Sequence, residues 1–117
     1  MIKLIFTPLL LLVSLFAVAD NTQEIAHLLD FVEKTECIYQ RNGSDHNGKK
    51  ARTHIQKKYD YYRDKIKTAE DFIAYSATKS TMSGKKYTIS CVGKKIQFSG
   101  DWLNAELKRY RAQLVEK

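Results

Sequence analysis

Residues 37–58 read CIYQRNGSDHNGKKARTHIQKK, and the fold depends on how this stretch divides. Cys37-Ile38-Tyr39-Gln40 is rich in β-branched and aromatic side chains, which favours a short strand. Arg41-Asn42-Gly43 ends it, because Asn and Gly both tolerate positive φ. Ser44 or Asp45 is then expected to cap a helix running to about Lys67. Gly48 weakens its first turn, so order is expected to begin nearer Lys49. Ala51, Ile55, Tyr59, Tyr62 and Ile66 recur at the spacing of one helical face. Lys58 projects from within that face, its methylenes packed and its ammonium reaching out. His54 lies at the edge.

Upstream, Asn21 with Glu24 has the logic of a capping box for a helix from about Thr22 to Lys34. Ile25, Leu28, Leu29 and Val32 form its apolar stripe, and His27 falls off the stripe as a surface residue beside Glu24 and Asp30. Downstream, Thr68 caps a short helix to about Ala77, its positive end matched by Glu70 and Asp71. The run TKSTMSGKK at 78–86 reads as a loop. Tyr87 to Cys91 alternates as a half-buried strand, Val92 to Lys95 turns, and Ile96 to Phe98 returns as its hairpin partner. Ser99 caps a last helix that buries Leu103, Leu107, Tyr110 and Leu114, with Trp102 at the rim. The fold class is therefore α+β: about four helices on one face of a small antiparallel sheet, a hairpin to which residues 38–40 can add a third strand.

The N-terminus sets the compartment. Lys3 precedes an apolar run from Leu4 to Phe16, and Ala17-Val18-Ala19 offers the small-x-small pattern of a signal peptidase site. The run is too short for a membrane span, which needs about 20 residues, so a signal peptide at 1–19 is expected to be cleaved before Asp20. The remaining 98 residues make one domain, 20–117, with 19 basic and 13 acidic side chains, a formal +6. In an oxidising compartment the two cysteines, Cys37 and Cys91, read as one disulfide, without CxxC spacing for redox or metal work. Residues 49–67 carry eight basic side chains against Asp60 and Asp64, which equals the whole net charge. Such a stripe attracts anionic partners. Specific nucleic-acid binding is not expected, because Tyr59 and Tyr62 are assigned to the core face and only Tyr61 is left to stack.

The set Tyr39-x-Arg41-Asn42-Gly43-x-x-His46, Ala51-x-x-His54-Ile55-x-x-Lys58, Thr68-Ala69-Glu70-Asp71-Phe72-Ile73, Ser83-Gly84-x-x-Tyr87 and Trp102-Leu103 resembles the YfeK-like family of exported bacterial proteins, a domain of unknown function. The resemblance runs from about Glu24 to Arg111. Tyr39 stands where Phe is usual and Ile55 where Leu is common. It implies a Gram-negative periplasmic location and a shared structural plan, and it brings no activity.

Two chemistries fit the polar residues Arg41, Asn42, His46, His54, Lys58, Ser83 and Tyr87. The first is binding of an anionic small molecule or envelope polymer. Arg41 would offer a bidentate fork, Lys58 a second charge, Asn42 and the Gly43 backbone donors, and Tyr87 or Trp102 a flat wall. The second is a small hydrolase or transferase, with His46 or His54 as base, Ser83 as nucleophile and Arg41 on an oxyanion; it lacks an acid to orient the histidine. A plainer role competes with both: Arg41 and Asn42 hold the turn, while His54 and Lys58 satisfy nearby backbone. No cofactor is expected. Nor is a metal, since His46 and His54 placed on one helix would diverge. The oligomeric state is open.

Overall fold

The computed structural model describes residues 20–115, so the signal segment expected at 1–19 lies outside the described residues. Four helices pack on a four-stranded antiparallel sheet. Helix α1 is Asn21–Lys34, followed by strands β1 (Ile38–Arg41) and β2 (Ser44–His46) and helix α2 (Gly48–Tyr61). A single 3-10 turn, Arg63–Lys65, leads to α3 (Ala69–Ser76), then β3 (Thr88–Ser90), β4 (Gln97–Phe98) and α4 (Ser99–Val115). The sheet order is β2-β1-β3-β4. Tyr39 lies opposite both His46 and Ile89, which sets the inward face. Leu28, Val32, Ile55, Phe72, Ile73 and Leu103 close over it.

Several local expectations are corrected. The cap of α1 is Asp20, whose carboxylate accepts from the Gln23 N–H, while the Gln23 side chain accepts from the Asp20 N–H. Ser44 and Asp45 do not cap α2; they form β2. Asn42 (φ 52°) and Gly43 (φ 80°) both sit in the left-handed region, the geometry of a two-residue hairpin turn. Asn47 is the α2 cap, its Oδ1 accepting from the Lys50 N–H at 2.9 Å. The helix starts at Gly48, not Lys49, and ends at Tyr61 instead of running to Lys67. Ile66 reaches the core from extended backbone beyond the 3-10 turn.

At the other end, Ser99 is the first residue of α4, and its buried hydroxyl shares a 2.6 Å hydrogen bond with the Tyr39 hydroxyl. His27 is not a free surface group. Its Nε2 lies 2.6 Å from Glu106 Oε2, and its ring stacks on Tyr110 at 3.9 Å, joining α1 to α4. Arg111 grips Glu24 and Glu70 together, tying α4 to α1 and α3. Thr68 caps α3 as expected, in a reciprocal box with Asp71. Cys37 and Cys91 are joined, and Cα atoms 4.4 Å apart bring the ends of β1 and β3 together. No helix among the described residues is long and apolar enough to cross a membrane.

Candidate functional site

The Asn42-Gly43 turn folds β2 back along β1, and this places two side chains that the sequence assigns to different settings. Arg41, the last residue of β1, points to α2, with Nη2 3.5 Å from His54 Nε2. His46, the last residue of β2, meets the same histidine edge to face at 5.3 Å between ring centroids. The two histidines are therefore not on one helix, and the divergence expected from that placement does not arise. Lys58 lies one helical turn beyond His54. Its ammonium donates to the Lys79 carbonyl at 2.6 Å and the Tyr87 hydroxyl at 3.2 Å. It turns inward over the 78–86 loop, contrary to the expected outward reach.

Asn42 ties the hairpin to that loop. Its Nδ2 donates to Ser80 Oγ at 3.3 Å, and its Oδ1 accepts from the Ser83 hydroxyl at 2.8 Å. Ser83 Oγ also accepts from the Lys85 N–H. Neither histidine is a hydrogen-bond partner of Ser83 among the described residues, so nothing is in place to activate its hydroxyl. Nor does an acid hydrogen-bond to either histidine among the described residues. Asp45 accepts from Gln40, and Glu70 is held by Arg111. Nor do the described residues gather three or more metal-ligating side chains. Tyr87 is 1% exposed and lies beneath the Lys58 ammonium, so it supplies no flat wall; Trp102 packs on Phe31, 4.7 Å between centroids.

What the site does concentrate is uncompensated positive charge. Arg41 and Lys58 are both half-buried, and neither pairs with a carboxylate among the described residues. Arg41 Nε is buried without a hydrogen-bond partner. Burial first, and then the Arg41 charge, hold the Lys58 ammonium below its ordinary range. His54 is lowered by burial, then by Arg41, with His46, Lys57 and Lys50 adding to it. His46 is lowered by burial, then by Arg41 and Lys50, against a smaller pull from Asp45. Burial pushes the Tyr87 hydroxyl up, opposed by Arg41.

These shifts fix a pH dependence. An imidazole whose folded pKa is depressed binds fewer protons than the unfolded chain below about pH 6.5, so stability is complete above that value and falls as pH falls through the folded pKa. Urea melts between pH 7.5 and 5 are expected to show this loss, and His46→Asn with His54→Asn to reduce it. An unchanged slope in the double variant would place the acid sensitivity elsewhere.

The sequence pattern missed two features beside this cluster. One is the Asn42–Ser80–Ser83 tie, hinted at only by the turn-forming composition of the loop. The other is the outer side of Tyr62. The residue is half-buried and packs against the core, as its place on the α2 face leads one to expect. It stands just past the helix end, however, with its ring also 4.8 Å from the Tyr61 ring and 5.3 Å from the Tyr75 ring of α3.

Residues 19–111 match a family described as a family of unknown function, DUF5329. A Salmonella typhimurium LT2 protein, called Uncharacterized protein YfeK, is 34% identical over 90 residues, spanning 73% of this chain and 75% of its own. No solved structure matches the chain. The match covers every described element from α1 through most of α4, including the hairpin and loop that build the cation cluster, in keeping with the resemblance read from the motifs: the chain belongs to the DUF5329 family of YfeK-like proteins.

Proposed function

We propose that residues 20–117 form a periplasmic binding module, released from a signal peptide before Asp20, whose Arg41–Lys58 cluster captures an anionic ligand of the cell envelope. The observation that carries this reading is the pair of half-buried cations with no carboxylate partner among the described residues. Two like charges taken partly out of water and left unneutralised destabilise the empty protein. A carboxylate or phosphate between them removes that cost, and the planar guanidinium of Arg41 suits either. The formed Cys37–Cys91 bond agrees with an oxidising compartment.

A role in holding the turn and a role in binding predict opposite signs for Arg41→Ala. If Arg41 holds the turn, its loss costs stability. If it is an uncompensated binding group, its loss relieves Lys58 and both histidines, and the empty protein stays within about 1 kcal/mol of wild type or rises. Thermal melts at low ionic strength with inorganic phosphate, citrate or tetragalacturonate are expected to show stabilisation of wild type that Arg41→Ala abolishes. This stabilisation should grow from pH 7.5 to 5.5, because a bound anion favours the charged imidazoles and takes up protons. No shift with any anion, together with a loss above about 2 kcal/mol in Arg41→Ala, would return the residue to the turn.

A further inference from the structure

We infer that the cleft beside Lys58, walled by Tyr62 and Tyr75, binds the sugar ring of an anionic saccharide whose acidic group sits on Lys58 and Arg41. The inference rests on the anion-binding reading above and adds the chemical class of the ligand. The cleft has a volume of about 330 Å³ and is lined by Lys58, Tyr62, Ala74, Tyr75, Lys79 and Thr81, among others. That volume lies at the lower end of the range for small-molecule sites. Lys58 belongs to both places: it lines this cleft, and it lies near enough to Arg41 to feel that charge. A ligand spanning them would need one charged end and one ring.

The two walls come from different elements, Tyr62 from the α2 end and Tyr75 from α3, and meet at 5.3 Å with planes inclined by 38°. Their edges already touch, so no flat ring fits between them, but together they form a shallow apolar wall. The rim is hydroxylic: the Tyr62 hydroxyl and Thr81 Oγ1 share a 3.2 Å hydrogen bond and keep lone pairs for a ligand. Tyr75 is 40% exposed and Tyr61 78% exposed, a display of aromatic surface that packing does not require. An apolar wall with a hydroxyl rim and an ammonium at one end matches a pyranose, which has C–H faces, a hydroxyl edge and, in a uronic acid or sugar phosphate, one anionic group.

The test uses residues 20–117, titrated by calorimetry and followed by amide shifts in 15N-resolved spectra. The probes are tetragalacturonate, glucose 6-phosphate, maltotetraose, inorganic phosphate and a thymidine oligonucleotide. Wild type is expected to bind tetragalacturonate or glucose 6-phosphate with shifts at Tyr62, Tyr75 and Thr81; which of the two binds distinguishes carboxylate from phosphate. Tyr75→Ala should weaken that binding about tenfold and Tyr75→Phe restore it, as expected for a lost stacking face, while affinity for inorganic phosphate is unchanged. Equal saccharide affinity in wild type and Tyr75→Ala, with phosphate still bound, overturns the saccharide subsite and leaves the anion site standing. Binding of maltotetraose as tight as tetragalacturonate, or tighter binding of the oligonucleotide with the same shifts, also overturns it. Failure of every anion overturns both readings.

Discussion

Replacing Cys37 and Cys91 together with serine is expected to lower the unfolding free energy by about 4 kcal/mol and the thermal midpoint by roughly 20 °C. The bond closes a loop of 54 positions, and it removes from the unfolded chain the freedom of everything between β1 and β3. Loop entropy grows only slowly with length, so a closure this long lies well up the curve, and the estimate depends little on its exact span. A single domain of this size has about 5–15 kcal/mol in total, so the loss leaves a protein that is marginal at physiological temperature. The closed loop also contains the whole candidate site: Arg41, His46, His54, Lys58, Ser83 and Tyr87 all lie between the two cysteines. The double serine variant should therefore lose the proposed anion binding in step with its unfolded fraction, not ahead of it. Urea denaturation of both proteins, read for midpoint and slope, checks the figure. A loss below about 1 kcal/mol would mean that the unfolded chain is already constrained without the bond.

The parts of the fold that the sequence made legible are those with a local signature. The α1 stripe, the Thr68 cap and the 87–98 hairpin each announce themselves within a dozen residues. β2 was hidden because Ser44-Asp45-His46 has no strand propensity; it is a strand only because the Asn42-Gly43 turn lays it on β1. The Asn-Gly pair is the available signal: it ends one strand, and it is also the usual middle of a two-residue hairpin. The α2 end was hidden for the opposite reason. No Gly or Pro stands between Lys58 and Thr68, and apolar residues continue at helical spacing, yet the chain leaves the helix at Tyr62 so that α3 can pack against α2.

The candidate site divides in the same way. Its positive charge was legible, since residues 49–67 carry the net charge of the chain. Its want of counter-charge was not, because the acids are numerous and only the fold shows where they are engaged. Asp30 holds Lys34, Glu33 holds Arg52, Asp60 holds Arg63, Glu24 and Glu70 share Arg111, and Glu106 takes Arg109 and His27. Arg41 and Lys58 are left out of these pairings. That result depends on contacts across the whole domain and has no local pattern.

Gly48→Ala is expected to destabilise the protein by about 3 kcal/mol, against the usual direction of such a change. Replacing a helical Gly with Ala ordinarily helps by up to about 1 kcal/mol, since alanine loses less backbone entropy on folding. Gly48 is buried at the first turn of α2, where an added methyl would sit 2.4 Å from the Val32 carbonyl oxygen, 2.8 Å from that of Glu33 and 3.1 Å from that of Thr35. All three are backbone atoms of the end of α1, so no side chain can swing aside. The helices must separate by about an ångström, and the contacts of Ala51 and Ile55 with α1 and the sheet loosen with them. His54 and Lys58 ride on the same helix, so the proposed anion affinity should fall together with stability. Arg41→Ala, by contrast, separates the two. Lys49→Ala, one residue on and exposed, is the control and should stay within about 0.5 kcal/mol of wild type. A Gly48→Ala protein as stable as wild type would show that the last turn of α1 yields at little cost, and that helix contact could not then be what holds Lys58 over Tyr87.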